Sequence, residues 1–236
     1  MILPQLLKRF AAHRDDEGFY RLQAVDAVRW IESRGVRLGA DCRAVDLGCG
    51  HGVFGECLQQ RGCAVTFADE QNFLLPRLRS SPFRQVNLDR DDLSQVGRHD
   101  LVVCSNVLEH LADPNRFLAS AQDFLVPGGY LYLSWTNWLS PWGGHEFSPW
   151  HYFGTRLGPK IYDLYGAKRF HEPGRNLFVT SIGGVLRQLA RNPQLTVVGR
   201  APRYYTEAAA LLHIPLLREF LAWNCALLIR RTDPPQ

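Results

Sequence analysis

From Cys42 onward, short apolar runs alternate with longer segments in which apolar side chains recur at helical spacing. Arg43–Leu47, Ala64–Ala68, Phe83–Asn87, Asp100–Cys104, Tyr130–Trp135, Leu195–Val198 and Cys225–Ile229 have the length and composition of strands. Gly52–Gln60, Asn72–Arg79, Pro114–Leu125 and Ile182–Ala190 have helical period, and Ala208–Phe220 is a last apolar helical segment. Such alternation implies right-handed crossovers, hence an α/β fold with a mostly parallel sheet and helices on both faces. Two more helical segments come first, Pro4–Arg14 and Gly18–Arg34. Tyr20, Ala24, Ala27, Trp30 and Ile31 share one face of the second, and Gly35 stops it. Residues 1–41 are therefore expected to form an N-terminal helical section.

Past Trp135 the rhythm breaks. Asn137–Ser181 is rich in Gly, Pro, His and aromatic residues, and so long an irregular stretch inside a compact domain is either disordered or functional. Its aromatic side chains need somewhere to pack, which favours an ordered insertion. With 236 residues, 46% hydrophobic and 21% charged, the chain fits a single domain, 1–236. Its net charge of +4 is spread out with no Lys/Arg block, so no nucleic-acid partner is expected. The six cysteines make no C-x-x-C pair and fall mostly in apolar runs, which predicts buried free thiols. That usage, with no leader or spanning run recognised, makes the cytoplasm the expected location.

The strongest local signal is V-D-L-G-C-G-H-G, Val45–Gly52, where the first strand gives way to a helix. A chain turning sharply beneath a bound nucleotide needs residues that tolerate positive φ and let a ligand touch the backbone, as Gly48 and Gly50 do. Asp46, just before them, could meet an ammonium group but would repel a dinucleotide pyrophosphate. Asp69 ends the second strand, at the spacing where a carboxylate accepts both hydroxyls of a ribose. Asn87-Leu88-Asp89 closes the third strand, where an adenine would lie.

D-L-G-C-G-H-G, followed by F-A-D, N-L-D, D-L-V-V-C-S-N-V-L-E-H-L and L-V-P-G-G-Y-L, spans Arg43 to Ser134. As an ordered set it resembles the motifs of class I S-adenosylmethionine-dependent methyltransferases, of the bacterial type 11-like kind. The resemblance implies a Rossmann-like, seven-stranded, mostly parallel sheet with a cap insertion, 137–181, after strand 5. It also implies S-adenosyl-L-methionine as cofactor. Asp46, Gly48, Cys49 and Gly50 would hold its methionine portion, and Asp69, with Glu70 beside it, its ribose. Asn87, Leu88 and Asp89 would flank the adenine, and Cys104, Ser105 and Asn106 would border the sulfonium. Glu70 stands where many relatives have an apolar residue, and Asn87 where many have Asp, although Asn can still donate or accept at a ring edge.

Methyl transfer leaves the protein to position the acceptor and, for a hydroxyl, to remove its proton. His110, just after the fourth strand, and His145, in the insertion, are the candidate catalytic histidines, with Glu109 beside the first. Trp138, Trp142 and His151 are candidate acceptor-binding residues. The insertion's aromatics could stack on a sugar, line a slot for a lipid or aromatic acceptor, or form the cap's own core. Asn106-x-x-Glu109-His110 also resembles the E-x-x-E-H metal motif of small-RNA 3′-end and ubiquinone-pathway methyltransferases. Asn in first place removes an anionic ligand and lowers metal affinity, so no metal is expected; the alternative weighed against this is a divalent site using Glu109, His110 and His145. His13, His51, His99, His171 and His213 read as surface or packing residues, with His51 also placed to touch the cofactor's carboxylate.

The expected reaction is methylation of a small-molecule, glycan or lipid-linked acceptor, on oxygen rather than nitrogen because the cap is rich in histidine. Residues 207–221 form a second substrate-side or interfacial segment. Its apolar run, with Arg230-Arg231 farther on, could make peripheral contact with a membrane or pack as a helix feeding the last strand. Two rivals rank lower. One is a degenerate methyltransferase-like domain that binds a partner or lipid; the other is a nicotinamide-dependent oxidoreductase, disfavoured by Asp46 and by the lack of a Tyr-x-x-x-Lys pair.

Overall fold

A computed structural model describes residues 1–13, 16–166 and 168–232, without the side chain of His13. Its seven strands are β1 (Arg43–Leu47), β2 (Ala64–Asp69), β3 (Phe83–Gln85), β4 (His99–Ser105), β5 (Leu125–Thr136), β6 (Leu195–Pro202) and β7 (Asn224–Arg231). They form one sheet in the order β3-β2-β1-β4-β5-β7-β6. β1 to β5 pair in parallel, and β7 runs antiparallel to β5 and β6. The seven α-helices among the described residues are α1 (Leu3–His13), α2 (Glu17–Ser33), α3 (Val53–Gln59), α4 (Pro114–Ser120), α5 (Gly154–Asp163), α6 (Ile182–Leu189) and α7 (Pro215–Leu221).

Alternation along the strands sorts the core into two layers. Val45, Leu47, Val102, Leu131 and Leu133 share a cluster with Phe117 of α4 and Ile182 of α6. Ala44, Leu101, Val103 and Tyr132 belong to the opposite cluster, with Val28 and Ile31 of α2 and Phe54 and Leu58 of α3. The sheet is thus covered on both faces, as its apolar runs require. All six cysteines are buried and unbridged.

Prolines explain two departures from the expected elements. Asn72–Arg79 yields only a 3-10 turn, Pro76–Leu78, because Leu75 before the proline is extended (φ −53°, ψ 147°). The Ala208–Phe220 segment divides likewise into a 3-10 stretch, Thr206–His213, and α7, with Ile214 extended ahead of Pro215. The helix expected over Pro114–Leu125 ends at Ser120 and continues as 3-10 turn through Phe124. Within 137–181, α5 had escaped notice, its period masked by Gly154, Gly158 and Pro159. Glu219 of α7 accepts the N–H groups of Ile182 and Gly183 at 3.0 and 2.8 Å, capping the exposed donors of α6.

Candidate active site

The ends of β1, β4 and β5 meet a cavity of about 730 Å³. Leu3, Leu6, Leu7 and Phe10 of α1, with Phe19 and Tyr20 of α2, line it from the N-terminal side. The expected N-terminal section is therefore part of the site. Its position is fixed by the N–H groups of Ile2 and Leu3, which donate to the carbonyl of Tyr204.

Gly48 and Gly50 adopt φ of 66° and 49°, a left-handed turn that favours glycine. A Cβ on Gly48 would lie 2.4 Å from Val107 Cγ2, whereas one on Gly50 would project into open space. Asp69 Oδ2 accepts the Gly50 N–H at 2.8 Å, and its Oδ1 accepts the N–H of Glu70 at 2.8 Å. Asp46 is 2% exposed and accepts the Gly55 N–H at 2.8 Å, so it anchors α3 beneath the turn. Burial pushes its carboxyl up to about 7.

At the neighbouring strand ends, Asn87 Nδ2 donates to Glu70 Oε2 at 3.3 Å and Asn87 Oδ1 accepts the Asp89 N–H at 3.0 Å. The Asp89 carboxylate accepts the N–H groups of Ala112 and Asp113 at 3.1 and 3.2 Å. Asp69, Glu70, Asn87, Leu88 and Asp89 therefore sit along one strand-end edge, beside the cavity rather than in its lining. Cys104 needs correcting: its side chain is fully buried in the sheet core, which removes the thiol from the sulfonium contacts. Ser105 and Asn106 do line the cavity.

Asn106 takes φ 57°, a left-handed conformation that asparagine tolerates better than glutamate would. Its Oδ1 accepts from Asn224 Nδ2 at 2.7 Å and Arg203 Nη1 at 3.0 Å, and its Nδ2 donates to Gln23 Oε1 at 3.4 Å. Arg203 and Gln23, both lining the cavity, were not foreseen. Arg203 is 3% exposed and its Nε has no hydrogen-bond partner.

Glu109 is buried beside this network. Its Oε1 accepts the Thr136 N–H at 2.9 Å, while Oε2 has no partner. His110, His145 and His171 stand together on the same wall. The ring centroids of His145 and His171 are 4.3 Å apart, and that of His110 is 5.4 Å from each. His171, expected at the surface or in packing, instead completes the cluster. Burial, then the imidazoles of His171 and His110, push His145 down to about 3, so its ring is neutral near pH 7.

The expected acceptor residues divide. Trp142 lines the cavity, stacked on Trp223 with centroids 5.7 Å apart. Trp138 instead packs with Phe147 and Leu177 in a small cap core, edge-on to His151. His151 is fully buried, with Nε2 3.0 Å from the Ser140 carbonyl. Both belong to the cap's own packing and, contrary to expectation, do not face the acceptor cavity.

A left-handed glycine turn with empty space above Gly50, carboxylates at the ends of β1 and β2, and an unpartnered Glu109 oxygen fit S-adenosylmethionine. A family model described as a methyltransferase domain matches residues 3–172. An uncharacterized methyltransferase of Mycolicibacterium gilvum (strain PYR-GCK) is 30% identical over 243 residues, covering 97% of this chain and 93% of the relative. The chain belongs to the methyltransferase-domain family. Among solved structures, an S-adenosylmethionine-dependent methyltransferase from Mesorhizobium loti shares the fold with TM-score 0.60 and 20% identity, covering 87% of this chain and 98% of that one. Magnesium protoporphyrin IX methyltransferase from Synechocystis PCC 6803, with bound SAH, aligns with TM-score 0.57 and 17% identity, covering 92% and 86%.

The protein is thus an S-adenosylmethionine-dependent methyltransferase with a Rossmann-like sheet. The oxidoreductase and degenerate-domain readings give way to it. No described helix is long and apolar enough to cross a membrane.

Proposed function

We propose that this enzyme methylates an oxygen atom of a small acceptor with an apolar body, of a lipid-linked kind rather than a bare glycan. The observation that carries the choice of oxygen is the convergence of His110, His145 and His171 on the cavity that also contains Gly48 and Gly50. A hydroxyl must lose its proton, and of the clustered imidazoles His110 is the candidate to take it, His145 being too weakly basic and left to orient the acceptor; an amine needs less help. S-adenosylmethionine supplies the methyl group on a sulfonium sulfur, already electrophilic. The protein's work is to hold that cofactor along Gly48, Gly50 and Asp69 and to seat the acceptor oxygen at the histidines.

Support for an apolar acceptor comes from Leu3, Leu6, Leu7 and Phe10 and from the Trp142–Trp223 stack, which offer little to a bare sugar's hydroxyls. Arg203, which lines the cavity, places a positive charge beside the position of a polar head group. In α7, Leu216 and Leu217 are exposed, a strip suited to touching the surface from which such an acceptor would come.

The test is methyl transfer from labelled cofactor to a panel of apolar alcohols, phenols, amines and glycans. Hydroxyl acceptors are expected to turn over, and His110→Ala and His145→Ala to lower kcat by roughly 10²- to 10⁴-fold. Full turnover in both variants, or selective methylation of amines, would overturn the reading.

A further inference from the structure

We propose that His110, His145 and His171 form a binding site for a divalent transition-metal ion, zinc foremost, on the acceptor wall of the cavity. Each residue offers one ligand atom, and the three atoms lie within 4.8 Å of one another. Among the described residues, no other group of three or more such side chains is so arranged. Around a tetrahedral zinc with bonds of 2.0–2.1 Å, ligand nitrogens stand about 3.4 Å apart, so closure needs movement of about an ångström.

The surroundings of the rings point the same way. His110 Nδ1 is 2.7 Å from the Asn176 carbonyl, and an N–H donated there leaves the Nε2 lone pair free. His171 Nδ1 is 2.5 Å from Glu146 Oε2, which does the same for the second ring. Glu146 is itself held by the N–H groups of Phe170 and His171, at 2.5 and 2.6 Å. A carbonyl and a carboxylate behind the ligating imidazoles are the usual outer supports of a metal-bound histidine.

His145 adds an independent observation. Its Nδ1 is buried without a hydrogen-bond partner. Its backbone sits at φ 52°, in the left-handed region that few non-glycine residues occupy, although histidine is among those enriched there. Core packing alone leaves the buried ring nitrogen without a partner, whereas an ion shared with His110 and His171 would give the ring one.

The donor set defines the ion. Three imidazoles with no carboxylate suit zinc, iron, nickel or copper and not magnesium or calcium, which take oxygen ligands. Three protein ligands also leave a coordination position open, as at catalytic rather than structural zinc sites. This is not the set suggested by the N-x-x-E-H motif. Asn106 is committed to Asn224 and Arg203, and Glu109 Oε1 to the Thr136 N–H, so only His110 is shared. The metal set weighed and set aside in the sequence, Glu109, His110 and His145, shares His110 and His145 with this site but has Glu109 where the structure brings His171. With the ion bound, the imidazole lone pairs go to it and not to the proton, so its catalytic use would replace the imidazole base. It would lower the pKa of an acceptor hydroxyl whose proton then leaves to water, which rests on the oxygen reading, whereas ion binding does not.

The experiment is titration of untagged, metal-stripped full-length protein with Co²⁺, followed by its visible d–d absorption, then displacement by Zn²⁺. S-adenosylmethionine binding is measured in parallel by calorimetry. One equivalent of Co²⁺ should give tetrahedral-type bands that Zn²⁺ removes. His145→Ala and His171→Ala should abolish them with cofactor affinity unchanged, and Glu146→Gln should weaken Co²⁺ binding roughly 10- to 100-fold. Absence of bands in wild-type protein, or bands that persist in both histidine variants, would overturn the site. If a histidine variant fails to fold, Glu146→Gln decides: unchanged Co²⁺ affinity overturns the site. Hydroxyl methylation by metal-free protein that takes up no Co²⁺ would sink the metal and keep the oxygen reading. Co²⁺ binding without transfer to any hydroxyl would do the reverse.

Discussion

The carboxylate of Asp69 holds the backbone N–H of Gly50 at 2.8 Å, so the end of β2 fixes the turn that follows β1. One oxygen maintains the left-handed glycine turn, and the other accepts from the next residue, Glu70. The residue that the motif resemblance assigns to the ribose thereby also supports the glycine turn.

Asp69→Ala should weaken S-adenosylmethionine binding roughly 10- to 100-fold, the cost of about 1.5–3 kcal/mol for lost hydrogen bonds to a charged group. Asp69→Asn, which keeps an acceptor, should lose less. Calorimetry on both variants checks this; equal affinities in wild type and Asp69→Ala would remove Asp69 from the site.

Asp46 sets a pH dependence. Its carboxyl is raised from 3.8 to about 7 by burial, so the folded state binds its proton more tightly than the unfolded state. The stabilisation it contributes is complete below the unfolded value and is lost as pH rises through the folded one. Asp46→Asn keeps an acceptor for the Gly55 N–H but carries no charge. Its Tm relative to wild type should climb between about pH 4 and 7 and level off above that. Parallel Tm profiles would contradict the raised carboxyl.

Much of the cofactor side was legible because its signals are local. A strand ending in G-x-G must turn there, and an acidic residue one strand later lies at the same edge whatever the loops do. The two core layers follow equally from alternation along β1, β4 and β5. The acceptor side was not legible, because irregular backbone has no period to read. Trp138 and Trp142 are four residues apart, yet one packs into the cap core and the other lines the cavity. His171 reaches His110 and His145 through a loop pinned by Glu146, a pairing with no sequence signature. Asn106 meets Arg203 and Asn224 across 97 and 118 residues, which only the strand order could have revealed.

Exposure in α7 supports contact with a lipid surface. Leu216 and Phe220 are 72% and 40% exposed. Wild-type protein should co-sediment with vesicles of anionic lipid, and the double change Leu216→Glu with Phe220→Glu should reduce that binding several-fold without altering cofactor affinity. Failure of wild type to co-sediment, or undiminished binding by the variant, would remove membrane contact from the account.

The most direct test of the central claim, that the turn through Gly48 and Gly50 seats S-adenosylmethionine beside the histidine cluster, is calorimetric titration of wild type and Gly50→Val. At φ 49° a β-branched side chain would strain the turn and project into the space above it. The expected result is stoichiometric binding by wild type and none by a Gly50→Val protein that still melts cooperatively. Equal affinity in the two proteins, or no binding by folded wild type, would contradict the account.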